Sequence, residues 1–374
     1  MEQCEENVKI IVFYLPQFHA IPENDQWWGT GYTEWVNVRK AKPLFEGHYQ
    51  PRVPLNNNYY NLLDNHVISW QVDLANKYGI YGFCFYHYWF SGHLLLEKPA
   101  EQFLAEKALK THFCMCWANE TWTNTWVSDD FTPLIEQKYG DEQEWEKHFN
   151  YLLPFFLDER YIKNDNKPLF VIYRPDLIDD LEKMLTFWQD LAKHNGFKGI
   201  DFAYQHIGFD RPKYRKQEKL FTYNIEYQPM YARFNDNYTI RWLKEIKEKV
   251  FGRIDRILNK KLIKICDYDK TWGTILTKKP RTEKSIPGAF VGWDNTPRRG
   301  VRGYLDFGAS PEKFQKYLTK QISRTRDIYH QDMLFMFAWN EWAEGGYLEP
   351  DTEYEYKFLE AIRASLIANS YSKK

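Results

Sequence analysis

Two glutamates three residues apart, Glu341 and Glu344, form the strongest chemical pair in the chain. They lie in the run Asn340-Glu341-Trp342-Ala343-Glu344-Gly345, directly after an apolar stretch of strand length. An i, i+3 spacing can bring two side chains to one side of a single helical turn. Carboxylates held that close cannot both ionise freely, so one pKa rises and the pair can divide acid and base roles. Glycoside hydrolysis uses two such groups. Paired glutamates at a helix start also complement its dipole, so alone they are weak evidence. Their surroundings carry the argument.

Polar and aromatic residues cluster in the same way after seven other apolar runs. The candidates, in chain order, are Tyr14, Gln17 and His19, then Glu34 and Trp35 in the following connection, then His87 and Trp89. Trp117, Asn119, Glu120 and Trp122 follow, then Tyr173 and Arg174, Gln205, Trp293 and Asp294, and finally Asn340 and Trp342 beside the glutamates. Aromatic faces stack on the C–H faces of a sugar ring, while the amides, carboxylates, imidazoles and guanidinium bond its hydroxyls. A concave site that mixes apolar surface with placed polar groups is the general ligand-site pattern. This crowd suits a carbohydrate better than a nucleotide. As plugs of a barrel mouth and caps of backbone groups, single members have a structural reading of equal weight.

Eight runs of strand length must position these groups: Lys9–Leu15, Gly79–Tyr86, His112–Trp117, Pro168–Tyr173, Gly199–Tyr204, Leu220–Ile225, Ala289–Gly292 and Met333–Trp339. They are continuous rather than alternating, as in parallel strands buried on both faces. Helical spacing lies between them. Leu62, His66, Trp70, Leu74 and Tyr78 step by fours toward Gly79, and a stripe from Leu177 to Leu191 stops at Asn195-Gly196. Ser310-Pro311 caps a helix to about Tyr329, and 240–265 reads as an outer helix with a basic face. Eight such units predict a single α/β domain over residues 1–374, a (β/α)8 TIM barrel with long βα loops whose site opens at the C-terminal strand ends.

Composition narrows the function. Lys and Arg total 50 against 51 Asp and Glu, which argues against a dedicated nucleic-acid binder. Aromatic residues make up 18%, yet mean hydropathy is −0.65, because they are interleaved with polar residues. No apolar run reaches the roughly 18 residues of a membrane span, and Met1–Asn7 lacks a signal-peptide pattern, so a soluble cytoplasmic protein is expected. Cys84, Cys114 and Cys116 read as core residues. No H-x-x-x-H, paired cysteine set or G-x-S-x-G occurs, so neither a metal nor another cofactor is expected.

The runs Y-L-P-Q-F-H (14–19), W-W-G-T-G-Y-T-E-W (27–35), F-Y-H-Y-W-F (85–90), W-A-N-E-T-W (117–122), G-W-D-N-T-P-R (292–298) and N-E-W-A-E-G-G-Y-L-E-P-D (340–351) resemble the WbsX-like proteins. These occur with bacterial surface-polysaccharide genes and are often labelled glycosyltransferases. They are similar in turn to glycoside hydrolase family 99, retaining endo-α-mannosidases and endo-mannanases with a (β/α)8 barrel. The resemblance implies that Glu341 helps a sugar 2-hydroxyl attack its own anomeric carbon, while Glu344 serves as general acid, then base. Ala343 stands where family 99 commonly has His. A retaining endo-hydrolase of an α-linked, mannose- or rhamnose-like glycan is the expectation. The alternatives are a sugar-nucleotide-dependent transferase, with Asp267-Tyr268-Asp269 as a cation-binding D-x-D, and a non-catalytic glycan-binding protein.

Overall fold

The computed structural model describes residues 8–123, 132–208, 215–234 and 263–370. Most of the expected basic helix, 240–262, lies outside the described residues, as does Met1–Asn7. Eight parallel strands form a (β/α)8 barrel: β1 (Lys9–Tyr14), β2 (Gly82–Phe90), β3 (His112–Trp117), β4 (Lys167–Ile172), β5 (Asp201–His206), β6 (Tyr223–Glu226), β7 and β8 (Met333–Phe337). Each pairs with its neighbour in sequence, and β1 pairs with β8, Lys9 opposite Met333.

Closure runs through β7, which is split. Its first piece, Ser285–Ile286, pairs with β6, and its second, Gly288–Phe290, pairs with β8. Pro287 between them has no N–H to give a ladder. At Gly288 the chain passes so close to β6 that a Cβ would lie 1.8 Å from the Glu226 carbonyl oxygen. The run expected here, Ala289–Gly292, covers only part of this strand. The second expected run ends at Tyr86, whereas β2 continues to Phe90 because its last residues fold back in a hairpin, Tyr88 opposite Leu95.

The outer helices follow their caps. Asp64 accepts from the His66 N–H at the start of Asn65–Tyr78, and left-handed Gly79 (φ 83°) ends it. Its buried face is Val67, Ile68, Gln71, Val72, Leu74, Ala75 and Tyr78, so His66 of the expected step-four stripe points to solvent. Leu181–His194 buries Met184, Leu185 and Trp188 as the stripe predicted, and Ser310 caps Pro311–Asp327 through the Lys313 N–H. Among the described residues no helix is long and apolar enough to cross a membrane.

Strand parity separates two layers. Phe13, Tyr86, Tyr227 and Phe335 meet inside the barrel, with Phe13 5.6 Å from Tyr86 and 5.3 Å from Tyr227. Tyr14, Phe83 and Phe85 pack together on the outer side, under the helices. There a buried polar knot ties the first connection to the last: Tyr60 Oη, Gln71 Nε2 and Trp342 Nε1 all donate to the Glu349 carboxylate, at 2.8, 2.7 and 2.7 Å.

Two stability predictions follow from these features. A methyl group at Gly288 meets backbone that cannot yield, so Gly288→Ala should cost about 1–3 kcal/mol in urea unfolding. Burial pushes Glu349 from 4.5 up to about 7, outweighing its three donors. The native state thus keeps a proton the unfolded chain releases, and this contribution, full below about pH 4.5, is lost as pH rises through about 7. Unfolding free energies of Glu349→Gln should therefore fall less with pH across that window than those of the parent, by on the order of 3 kcal/mol. Parallel pH profiles would contradict the assignment.

Candidate active site

At the C-terminal ends of the strands the βα loops enclose a cavity of about 820 Å³, whose lining includes Glu34, Arg298, Glu341 and Glu344. The two glutamates expected on a helical turn stand on a short one, at the tip of a tight hairpin. Asn340–Glu341 pairs antiparallel with Gly346–Tyr347, and Trp342–Glu344 form a 3-10 turn between them. Gly345 closes it at φ 64°, where a Cβ would lie 2.9 Å from Asp294; one on Gly346 would lie 2.1 Å from the Phe337 ring. Both glycines are therefore required by close approach as well as by the turn.

The hairpin is held from both flanks. Asn340 copies a strand partner: its Oδ1 accepts from the Leu15 N–H at 2.7 Å and its Nδ2 donates to the Leu15 carbonyl at 2.9 Å. The Asp294 N–H donates to the Glu344 carbonyl at 2.6 Å. Asp294 is itself fixed by His48, by Gln50 and by both the N–H and the hydroxyl of Thr296. Burial pushes Asp294 upward, but His48, Arg52 and these donors together hold it at about 2.

One cation serves three carboxylates in this floor. Arg298 Nη1 donates to Glu344 Oε1 at 2.6 Å, while Nε and Nη2 hold Glu34 Oε2 at 3.1 and 3.0 Å. Glu341 Oε2 lies 3.6 Å from Nη2, beyond hydrogen-bond length. The Arg298 side chain is 5% exposed and that of Glu34 2%, so water screens these charges little. Burial pushes Glu341 well up, with Glu344 adding to the rise and Arg298 opposing it. It also raises Glu344, with Arg298 as the main opposing influence. At an effective dielectric of about 20, contacts of 2.6 and 3.6 Å to one charge differ by roughly 2 kcal/mol, more than one pKa unit. Arg298 therefore favours the ionised form of Glu344 more than that of Glu341.

Of the residues expected from sequence, Gln17, Glu34, Glu120, Trp122 and Tyr173 line the same cavity as Glu341 and Glu344. Gln17 donates to Tyr88 Oη at 3.4 Å, and Glu120 is ion-paired with Arg174, which also grips Asp176. Gln205 sits one layer below, donating to Tyr86 Oη at 3.3 Å. The others face elsewhere. Tyr14 donates to Gln71, Trp35 to the Tyr60 carbonyl, Trp89 to Glu144 and Trp117 to the Trp89 carbonyl. His87 pairs with His148 at 2.8 Å behind β2, and burial keeps both imidazoles neutral. His19 is buried, and Asn119 braces the Arg174 backbone. Trp342 stacks on Tyr347 at 3.8 Å, while Trp293 and Asp294 line a second hollow of about 200 Å³.

Arg298, Tyr86, Tyr88, Tyr227, Trp28, Tyr32 and Asn37, outside the candidates expected from sequence, also line the cavity. Tyr86 and Tyr88 share one parity of β2 and His87 and Trp89 the other, but a strand buried at every position does not show in sequence which set faces the cavity. The D-x-D motif is engaged in the fold. Asp267 caps Tyr268–Thr277 through the Lys270 N–H, and Asp269 accepts from Lys313 and Tyr317. Among the described residues, no three His, Cys, Asp or Glu side chains group as a metal site.

Similarity to known proteins agrees with the barrel fold. The chain is 35% identical over 361 residues to "Uncharacterized protein WxcX" of Xanthomonas campestris pv. campestris, covering 96% of this chain and 49% of that protein. The chain thus spans about half the length of the curated relatives it matches. Among solved structures, a "Glycoside hydrolase-like protein" superposes with TM-score 0.57 at 12% identity, over 98% of this chain and 96% of that one. The GH99 endo-alpha-mannosidase from Bacteroides thetaiotaomicron superposes with TM-score 0.55 at 14% identity, over 96% and 97%. At such identities the likeness is one of fold. The model of the family described as "Glycosyltransferase WbsX" matches residues 10–362, and the chain belongs to that family.

Proposed function

We propose that this protein is a retaining, endo-acting glycoside hydrolase that cleaves an α-linked, mannose- or rhamnose-like glycan of a bacterial surface polysaccharide. The observation that carries the proposal is the pair Glu341 and Glu344 in the floor of the cavity, joined through one buried arginine. Trp28, Trp122, Tyr32 and Tyr173 offer ring faces along its walls, and Gln17, Asn37 and Glu120 offer hydrogen bonds. About 820 Å³ is within the range of ligand sites and larger than one sugar ring needs.

The resemblance to family 99 supplies the order of events. Glu341 as carboxylate takes the proton of the sugar 2-hydroxyl, whose oxygen attacks C1. The bond from C1 to the glycosidic oxygen breaks, and that oxygen takes the proton of Glu344. In the second half Glu344 removes a proton from water, whose oxygen bonds to C1. The C1–O2 bond of the 1,2-anhydro sugar opens, and O2 recovers its proton from Glu341. Two displacements at C1 retain the configuration. Burial suits Glu341 to the base role, since a poorly compensated carboxylate binds protons strongly. Arg298 lies nearer Glu344 and so favours the proton on Glu341, and the productive complex requires its transfer to Glu344 within the pair.

The family's description favours a second reading, transfer of a sugar from a nucleotide donor. Against it stands the structural use of Asp267 and Asp269. The readings separate when the protein is incubated with bacterial surface polysaccharides, with and without EDTA, and new reducing ends are measured. Hydrolysis should survive the chelator and fall by about 10²–10⁴-fold in Glu344→Gln. Glu341→Gln should lose a similar factor if the 2-hydroxyl takes part; unchanged cleavage would remove that step alone. Turnover only with a nucleotide sugar would overturn the hydrolase reading.

A further inference from the structure

We infer that Glu34 is a positioning residue for the carboxylate pair: by holding Arg298 through Nε and Nη2 it fixes how one cation is divided between Glu341 and Glu344, and so which of them keeps the proton. The inference rests on the hydrolase reading for its consequence in catalysis, but its geometry is independent of it. Glu34 comes from the first connection, on the helix Glu34–Lys40, far in sequence from the hairpin that carries the pair. It is 2% exposed, and its Oε2 takes two of the three Arg298 nitrogens, at 3.1 and 3.0 Å. That grip turns Nη1 toward Glu344 at 2.6 Å and leaves Glu341 at 3.6 Å, its Oε2 with no hydrogen-bond partner among the described residues. The Glu34 charge also acts directly on both members of the pair, favouring their protonated forms.

The other charged groups of the cavity are placed differently: Lys40 is exposed, and Glu120 is paired with Arg174. Arg299, on the same short helix as Arg298, is exposed and acts on Glu344 from the cavity rim. Tyr32, Tyr86, Tyr88, Tyr227 and Tyr304 face the pair or its arginine, but burial pushes every one of these phenols up, so they stay neutral. Glu34 is thus the third carboxylate of a cluster that holds one positive and three negative groups when fully ionised. It competes with the pair for Arg298 and keeps one proton in the site.

Infrared pH-difference spectra of the full chain test this without substrate, by following the C=O band of a protonated buried carboxyl. The band that Glu341→Gln removes belongs to Glu341. Glu34→Gln frees the guanidinium for the pair, and should lower the midpoint of that band by about 1–3 units, a roughly 10- to 1000-fold loss of proton affinity. Glu34→Asp should shift it less in the same direction, and carries the test if the glutamine variant does not fold. A purely structural role would lower the melting temperature and leave the midpoint in place, which would overturn the inference. An unmoved midpoint with cleavage intact removes the positioning role and spares the hydrolase. A shifted midpoint in a protein that cleaves no glycan does the reverse.

Discussion

The buried guanidinium of Arg298 is the interaction on which the rest of the site depends. Three carboxylates from two distant parts of the chain converge on it, and burial deprives them of solvent screening. Remove the cation and three carboxylates face one another in a poorly hydrated floor. Keep it, and their charges are partly compensated, while burial still favours the protonated forms of Glu341 and Glu344. Composition that is neutral overall, 50 cations against 51 anions, hides this local imbalance completely.

Such a cluster requires a rigid frame, and the barrel supplies it by fastening loops to strands. Asn340 completes the ladder beyond the end of β1, the Asp294 N–H meets the Glu344 carbonyl, and Glu349 gathers three donors behind Trp342. Two adjacent glycines let the hairpin pass between Asp294 and Phe337. The Leu15–Asn340 and Tyr60–Glu349 bonds bring residues hundreds of positions apart into register, so the geometry of the pair is a property of the closed barrel. The split in β7 belongs to the same economy, because one half completes the pairing to β6 and the other to β8.

Much of the fold was legible because continuous apolar runs of strand length, spaced by helical stripes, have few other solutions. The caps at Gly79 and Ser310 were read correctly because they depend on neighbouring residues only. The site was legible in part. Glu341 and Glu344 announce themselves by spacing, and Gln17, Glu120, Trp122 and Tyr173 by their place after strands. What the sequence hides is parity: in a strand buried on both faces, nothing in the pattern says whether His87 or Tyr88 points inward. Trp35, Trp342 and Trp117 illustrate the cost, since an indole that packs the wall and one that could stack a sugar look alike in sequence. Arg298 escaped selection for a related reason. Its importance comes from Glu34, which lies 264 positions away.

The central claim is that a glycan is bound and cut over the Glu341–Glu344 pair. A crystal structure of the Glu344→Gln variant with an oligosaccharide released from its polysaccharide tests it most directly. The account predicts a glycosidic oxygen within hydrogen-bond reach of residue 344, a 2-hydroxyl on Glu341, and sugar rings against Trp28 or Trp122. A glycan seated in the hollow beside Trp293 and Asp294, with the pair still closed on Arg298, would contradict it.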